Sequence, residues 1–241
     1  MSGGEHVFAR IRAGLGRGPL EPEAVAKLEA RIAAHAPNLI PARARVPEDE
    51  RLALFQRMAE EVGTTFAHVP SFDDVPAALL AYLTARGLPA RLRMSPDPWL
   101  DRIPWSSQPA LAIARGRAGP GDLVSLTPCF AAVAETGTLV LVSNGARPAT
   151  LNFMPDNHVV VLEACDVLGA YEDAFAKLRA LHPDVPFMPR TVNFVTGPSR
   201  TADIELTIVR GAHGPRRLHV IVRQARARSE SAEYRLDRVQ A

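Results

Sequence analysis

Lysine is almost absent from this sequence: Lys27 and Lys177 are the only two among 241 residues, and arginine supplies the other basic side chains. Both lysines lie in charge-rich segments with a helical pattern, unlike the buried lysine that forms a Schiff base or holds pyridoxal phosphate. Neither follows a glycine-rich loop, which excludes a phosphate-binding loop that ends in Gly-Lys. Catalysis and anion binding in this protein must therefore use other side chains.

Cysteine is also scarce, with Cys129 and Cys165 in separate segments and no Cys-x-x-Cys spacing. Four thiolates usually hold an iron–sulfur cluster, so we expect none on this chain. We predict instead that each cysteine packs as a small buried hydrophobic residue. Asp156, His158 and His213 lack the paired spacing that is typical of a metal site, and we predict no metal on this chain.

An excess of charge of one sign is missing too, because 28 basic residues oppose 26 acidic ones and the net charge is +2. This balance argues against a nucleic-acid binder that depends on phosphate contacts. No apolar run approaches the roughly 18 residues of a membrane-spanning helix. Arg10 and Arg12 interrupt the apolar residues near the N-terminus, unlike a secretory signal. We expect a cytoplasmic protein without a membrane span.

The first part of the chain has the apolar spacing of amphipathic helices that are separated by proline-rich joints. Phe8, Ile11 and Leu15 would share one face of the first helix. Further helices are predicted at residues 21–35, 48–62 and 73–86. We expect residues 1–60 to form a helical arm, which either packs on its own domain or docks onto another subunit.

From residue 88 the pattern changes to short apolar or β-branched runs, which predict strands at residues 90–94, 110–115, 123–126, 138–143, 158–163, 191–196 and 218–222. Residues 139–142 and 159–162 are apolar on both faces, which is typical of a parallel sheet covered on both sides. Helices are predicted at 166–181 and 201–209. This alternation predicts an α/β fold with a mostly parallel sheet over residues 61–222, followed by a polar tail at 223–241.

The candidate functional residues lie in polar loops at the ends of predicted strands, the edge where open α/β sheets bind ligands. Residues 197–203, Gly-Pro-Ser-Arg-Thr-Ala-Asp, leave a strand and are predicted to open a helix. Gly197 would let a ligand approach the backbone, Ser199 and Thr201 would offer hydroxyls, and the free N–H groups would favour an anion. The same residues also fit an ordinary helix start, with Ser199 or Thr201 as the cap and Asp203 facing the helix dipole.

Glu135 is the candidate carboxylate, in the turn Ala-Glu-Thr-Gly-Thr at residues 134–138. A carboxylate beside an apolar strand must be paired, protonated or exposed. Glu135 could act as a general base or as a nucleophile towards a carbonyl, with Thr136 and Gly137 lining the same site. The alternative is an ordinary residue at the end of a helical turn, followed by a turn glycine.

His213 is the best candidate for proton transfer, because glycines flank its short segment at residues 211–214 and an accessible imidazole titrates near neutral pH. A second polar loop, Met-Pro-Asp-Asn-His at residues 154–158, adds Asn157 as a candidate contact to a substrate. His219 alternates with apolar neighbours, which indicates a strand residue that is packed or lies at the surface.

These loops resemble the lactate-utilisation protein C family, whose LUD domain was formerly called DUF162. The resemblance rests on Ala-Glu-Thr-Gly-Thr-Leu-Val-Leu at 134–141, Pro-Asp-Asn-His at 155–158, Gly-Pro-Ser-Arg-Thr-Ala-Asp-Ile-Glu at 197–205 and Gly-Ala-His-Gly-Pro at 211–215. It covers roughly residues 5–222. It implies a three-layer α/β fold like that of glucosamine-6-phosphate deaminase (NagB), ribose-5-phosphate isomerase (RpiA) and the CoA-transferases.

The resemblance also implies a part in oxidising L-lactate to pyruvate, in a three-component system whose other two members carry iron–sulfur modules. This chain would then be an accessory subunit without a cofactor, which binds a small hydroxy or keto acid or organises the complex. Ser199 and Thr201 would hold the carboxylate, with Glu135 or His213 as the base. Two alternatives stay open: a stand-alone sugar-phosphate isomerase or CoA-transferase-like enzyme with Glu135 as nucleophile, and a non-catalytic interaction or regulatory module.

Overall fold

Two amphipathic helices, α1 (Gly3–Leu15) and α2 (Pro22–Ala34), form most of the first of two units into which the chain divides, residues 1–39. Both follow the predicted apolar spacing, and no residue of either helix is buried. Pro22 suits the first turn of α2 because its missing N–H would have no partner there. The computed structural model describes residues 3–16, 18–181, 189–204 and 207–224.

The second unit begins at Ile40 and contains alternating strands and helices. Its described helices are α3 (Glu48–Glu61), α4 (Val75–Ala85), α5 (Thr150–Phe153) and α6 (Tyr171–Arg179). Its described strands are β1 (Thr65–Val69), β2 (Arg91–Met94), β3 (Ala112–Arg115), β4 (Val124–Pro128), β5 (Ala131–Val133), β6 (Thr138–Ser143), β7 (Asn157–Glu163), β8 (Val167–Leu168), β9 (Thr191–Thr196), β10 (Arg200–Ile204), β11 (Thr207–Arg210) and β12 (Arg217–Arg223). All seven strands predicted from the sequence are present, with ends within two residues of those expected.

The central sheet has six strands in the order β1-β12-β7-β4-β2-β3, and every neighbouring pair is parallel. The doubly apolar run 159–162 lies in β7 near its middle and is buried on both faces. On one face, α4 packs Leu79 and Leu83 against strand residues such as Val161. The structure confirms the expected mixed α/β fold with a mostly parallel central sheet.

A second sheet, which the sequence analysis did not separate from the first, has the order β8-β5-β6-β9. The doubly apolar run 139–142 lies in its strand β6, which is antiparallel to both β5 and β9. The inference that this run indicates a parallel strand is therefore wrong. Leu139 packs with Val160 of the parallel sheet, while Val140 packs with Leu178 of α6. Strand β6 is buried on both faces because its sheet is an inner layer between the parallel sheet and α6, and this burial does not depend on the direction of the strand.

A β-hairpin replaces the helix predicted at residues 201–209, and this prediction is wrong. Strands β10 and β11 pair antiparallel, with Thr201 opposite Val209 and Ile204 opposite Thr207. The segment is rich in β-branched residues, which lose rotamer freedom in a helix and suit a pleated strand. Gly197 and Ser199 therefore precede a strand, and no helix N-terminus lies there to attract an anion.

The predicted arm of residues 1–60 includes α3, and in the structure α3 packs within the second unit, with Phe55 and Ala59 buried beside Leu139. The predicted tail of residues 223–241 begins at Arg223, which is the last residue of β12. Residues 225–241 lie outside the described part of the chain. Among the described residues, no helix is both long and apolar enough to cross a membrane.

A buried ion pair closes the carboxyl ends of the two central strands β7 and β12. Glu163 and Arg223 are register partners, and Arg223 Nε lies 2.8 and 2.9 Å from the two carboxylate oxygens. Their side chains are only 1% and 7% exposed. The guanidinium carbon of Arg223 also lies 4.2 Å from the centre of the Phe72 ring. Removing one member would leave the other charge buried without its main partner.

We therefore expect Glu163→Gln to lower the free energy of unfolding by about 3–5 kcal/mol. The matched control is Asp101→Asn, because Asp101 pairs with Arg115 where both side chains are well exposed, and such pairs contribute about 1 kcal/mol or less. Urea unfolding followed by circular dichroism measures both changes. Equal losses in the two variants would contradict a structural role for the buried pair.

Candidate functional site

Two of the predicted turns meet at the C-terminal end of α3. Gly137 has a φ of 65°, and a Cβ atom added there would lie 2.7 Å from the Cα of Ala59. Gly197 has a φ of 72°, and an added Cβ would lie 2.8 Å from Cγ2 of Val62. Both glycines therefore allow a close approach of α3 in a backbone conformation that other residues rarely adopt. The structure brings these two sequence-predicted turns together, with glycines that serve helix packing.

A group of four hydroxyls links the same two turns. Thr138 Oγ1 lies 2.7 Å from Thr136 Oγ1, 2.7 Å from Thr196 Oγ1 and 3.0 Å from the hydroxyl of Tyr171. Thr136 Oγ1 also lies 3.0 Å from the Tyr171 hydroxyl. The hydroxyl of Thr136, predicted to contact a substrate, thus has hydrogen-bond partners inside the protein.

Glu135 is buried beside this group, with 3% of the residue exposed. Its Oε2 atom lies 3.7 Å from Nε of Arg43, a largely exposed arginine, and has no hydrogen-bond partner among the described residues. Its backbone N–H donates to the carbonyl of Gly169 at 3.3 Å. A base or nucleophile must reach its substrate, and in this conformation the carboxylate of Glu135 is covered.

Ser199 and His213 also come together, but through the backbone. The Oγ of Ser199 accepts a hydrogen bond from the His213 N–H at 3.2 Å, and the Ser199 N–H donates to Pro215 O at 2.9 Å. The residue His213 itself is exposed. Thr201 is buried in β10, and the side chain of Asp203 lies outside the described residues. Ser199 therefore fastens the loop of His213.

The expectation that these loops lie at the carboxyl edge of a parallel sheet, where its strands end, is wrong. The turns at 134–138 and 197–203 follow β5 and β9 of the second sheet, and the other two loops precede strands of the parallel sheet. Asn157 is the first residue of β7, and the loop at 211–215 precedes β12. Both lie at the amino edge, where the parallel strands begin. Asn157 is buried and accepts a hydrogen bond from Nη1 of Arg217, its register partner, at 3.2 Å. Its own Nδ2 donates to Leu123 O at 3.0 Å.

Beside Arg217 lies a stacked pair that sequence analysis missed. The rings of Tyr82, near the end of α4, and His219, in β12, lie 4.0 Å apart and nearly parallel. Nδ1 of His219 lies 2.8 Å from Oγ1 of Thr65. Its Nε2 and the hydroxyl of Tyr82 are buried without a hydrogen-bond partner among the described residues. The alternation of β12 indicated a strand position for His219, but no pattern connects it with a tyrosine in a distant helix.

Burial changes the protonation of both rings. Burial, together with the nearby Arg86, lowers the pKa of His219 to about 4, so the imidazole is neutral at pH 7. Burial also raises the pKa of Tyr82, although Arg86 and Arg217 oppose that rise. The pair is therefore an uncharged donor and acceptor set close to two positive charges.

A second arginine site, also missed, lies at the carboxyl edge where β2 and β4 are neighbours. Within this sheet, the next strand after β2 is β3, on one side of the pair, and the next strand after β4 is β7, on the other side. Such a reversal of direction is the switch point at which open α/β sheets bind ligands. There Arg147 pairs through Nε with Asp97, and Asp97 accepts the N–H of Trp99 at 2.9 Å. The Arg147 side chain is only 11% exposed, so a carboxylate ligand at this edge would have to compete with Asp97 for the guanidinium group.

The two cysteines differ from each other. Cys129 is buried, as predicted, and its thiol donates to Ala131 O at 2.9 Å. Cys165 is exposed, so its predicted burial is wrong. Neighbouring protein atoms still desolvate its sulfur and, with Asp166 and Glu163, raise the pKa to about 11, so the thiolate is scarce at neutral pH.

An open pocket of about 440 Å³ lies beside Cys165, with Glu48 and Asp49 in its lining. The negative charges of these two carboxylates would repel an anion such as lactate or phosphate. Within the described ranges, no group of three or more histidine, cysteine, aspartate or glutamate residues could hold a metal ion.

The close approach of Gly137 to α3 can be tested with a matched glycine. Gly87 has a similar φ of 62°, but an added Cβ would meet nothing within 4 Å. Gly87→Ala should cost about 1–2 kcal/mol of unfolding free energy from backbone strain alone. Gly137→Ala should cost about 1–3 kcal/mol more, because the backbone of α3 must move. Urea unfolding measures both, and equal costs would contradict the packing role.

The buried His158 predicts acid sensitivity. Burial lowers its pKa to about 3, whereas an unfolded histidine titrates near 6.5. Below pH 6.5 only the unfolded state takes up the proton, so His158 removes about 1.4 kcal/mol of stability per pH unit until the folded pKa is reached. We expect His158→Gln to make the fall in unfolding free energy between pH 6 and pH 4 shallower by that amount. Parallel slopes for variant and wild type would contradict this prediction.

Comparisons with known proteins agree with the resemblance found in the sequence. The chain is 31% identical to a Lactate utilization protein C of Deinococcus radiodurans over 188 residues, 76% of this chain and 84% of that protein. It is 27% identical to one of Exiguobacterium sp. over 183 residues, 73% and 78% of the two chains.

Other matches are shorter. A Lactate utilization protein C of Geobacillus sp. is 32% identical over 99 residues, and the chain spans 41% of that relative's length. A crystal structure of a DUF162 family protein from Deinococcus radiodurans has the same fold, with a TM-score of 0.54 and 22% identity over 75% of this chain and 99% of that one. The LUD domain family model matches residues 83–222, more than half of the sequence. The chain therefore belongs to the LUD domain family.

Proposed function

We propose that this protein takes part in lactate utilisation, as the subunit without iron–sulfur clusters that binds a small hydroxy or keto acid. Its membership of the LUD domain family carries the proposal, because relatives over most of the chain are named Lactate utilization protein C. The described arginines support an acid-binding role. Lactate and pyruvate need a group that holds their carboxylate, and a guanidinium does so with two parallel hydrogen bonds.

The oxidation itself requires a partner in this proposal. Conversion of lactate to pyruvate releases two electrons and two protons, and the sequence offers no recognisable flavin or nicotinamide motif. Its two cysteines lie in separate segments and cannot supply the four thiolates of a cluster. Iron–sulfur subunits of the same system would accept the electrons.

An organising role for the N-terminal helices also has an observation in its favour. Phe8, Ile11 and Leu15 lie along one side of α1, and each is at least half exposed. Apolar residues at this spacing are typical of a helix face that packs against another surface. By contrast, the covered carboxylate of Glu135 gives no support to an isomerase or a CoA-transferase-like enzyme that uses it as a nucleophile.

The acid-binding role is tested on the purified chain by thermal unfolding in the presence of L-lactate, D-lactate, pyruvate, ribose 5-phosphate and acetyl-CoA. A ligand at 100 times its dissociation constant adds about 2.7 kcal/mol of stability. For a protein of this size that corresponds to a rise in Tm of about 5–10 °C. We expect such a rise with L-lactate or pyruvate.

A rise with ribose 5-phosphate or acetyl-CoA alone would contradict the proposal and favour the independent enzyme. No rise with any acid would show that this chain does not bind the substrate by itself, which also contradicts the proposal.

A further inference from the structure

The stacked pair of Tyr82 and His219 leaves two buried polar atoms without partners at the amino edge of the parallel sheet. The two residues are 8% and 4% exposed, and their rings lie 4.0 Å apart. Neither the Tyr82 hydroxyl nor Nε2 of His219 has a hydrogen-bond partner among the described residues. A buried polar group without a partner costs about 1–3 kcal/mol, and folded proteins leave few of them. Each of these atoms would gain a hydrogen bond from a polar molecule, which the neighbouring side chains must move to admit because both atoms are covered in this conformation.

Two arginines give this position its charge. Arg86 follows the last turn of α4, with its guanidinium carbon 5.9 Å from the centre of the Tyr82 ring. Arg217 begins β12, and Asn157 fixes it through the 3.2 Å hydrogen bond. Both are exposed, and neither forms an ion pair with a carboxylate in the described part of the chain. A third arginine of the same edge, Arg91, lies on the opposite face of the sheet, because its neighbour Leu92 belongs to the core around Tyr82.

The two sets of groups differ in the chemistry they offer. Guanidinium groups donate to a carboxylate. The neutral His219 can accept a hydrogen bond from a hydroxyl at Nε2 when its Nδ1 carries the hydrogen, and the Tyr82 hydroxyl can donate a hydrogen bond to a keto oxygen. A molecule that satisfies both sets carries a carboxylate with a hydroxyl or keto oxygen on the adjacent carbon.

We propose that Tyr82, His219, Arg86 and Arg217 form the binding site for a 2-hydroxy or 2-oxo acid. The arginines hold the carboxylate, and the stacked pair contacts the adjacent oxygen. The inference rests on the proposed role in lactate utilisation and gives that role a site. It places the acid away from Ser199 and Thr201. The hydroxyl of Ser199 accepts a hydrogen bond from the His213 N–H, and Thr201 is buried in β10.

The test measures dissociation constants by NMR titration of the full chain with L-lactate, pyruvate, acetate and inorganic phosphate. The variants are Tyr82→Phe and Arg217→Gln, with Arg91→Gln as the matched control arginine and Arg147→Lys for the carboxyl edge. Tyr82→Phe removes a hydroxyl that has no partner among the described residues, so it should not lower the unfolding midpoint. A loss of affinity in this variant is then a loss of a ligand contact.

We expect Arg217→Gln to raise the dissociation constants of L-lactate and pyruvate about tenfold or more, because the variant loses a charge-assisted hydrogen bond to the carboxylate. Tyr82→Phe should raise the dissociation constant of pyruvate several-fold and leave that of acetate unchanged, because acetate lacks the adjacent oxygen. Arg91→Gln and Arg147→Lys should bind like wild type.

Wild-type affinity for lactate and pyruvate in both Tyr82→Phe and Arg217→Gln would overturn this site and leave the proposed function standing. A loss confined to Arg147→Lys would move the acid to the carboxyl edge and overturn the site as well. Phosphate binding as tight as that of lactate, with the same dependence on Arg217, would overturn the assignment to 2-hydroxy and 2-oxo acids. No binding of any acid to the wild type would contradict the proposed function and this inference together.

Discussion

The parallel pairing of β7 with β12 is the constraint on which the remaining structure depends. The two strands are in register over all seven residues of each. Both ends of this ladder are fastened by side chains of register partners, Asn157 with Arg217 and Glu163 with Arg223. A slip of one residue would turn the side chains of one strand to the opposite face of the sheet and break the two links at once. The amino and carboxyl edges of the sheet are therefore fixed relative to each other by one register.

The same register distributes two buried histidines to opposite faces. His158 of β7 lies beside Thr127, with 2.7 Å between Nε2 and Oγ1, whereas His219 of β12 stacks on Tyr82. Both are neutral because burial disfavours the charged imidazole. His219 also lies near Arg86 and Arg217, which form no ion pair with a carboxylate among the described residues. Similar burial thus gives two histidines different uses. His158 belongs to the packing between layers, and His219 belongs to a buried set of polar groups that lies near Arg86 and Arg217.

Local patterns predicted the strands well because apolar alternation and β-branching act within a few residues. They failed where the decisive partner is distant in sequence. The run 139–142 looks like a parallel strand, but the layers on its two faces decide its burial. Likewise, the residues around the Tyr82 ring come from the end of α4 and from β12, which a pass along the chain does not join. The sequence singles out Glu135 and Gly137, but it could not show that Gly137 packs against α3 or that Glu135 is buried.

Different arguments favour the two edges of the sheet as the binding position of an acid ligand. The topological rule favours the carboxyl edge, where Arg147 lies near the switch point. The arginines there already have carboxylate partners, Asp97 for Arg147 and Glu163 for Arg223, and a ligand would have to compete with buried ion pairs. At the amino edge, Arg86 and Arg217 form no ion pair among the described residues, and the polar atoms behind them lack hydrogen bonds. Binding is favourable only where the ligand adds interactions that the free protein lacks. The amino edge therefore gains more from a bound acid than the carboxyl edge does. In this protein, the groups without ion pairs or hydrogen bonds decide the position of the acid, and the topological rule does not.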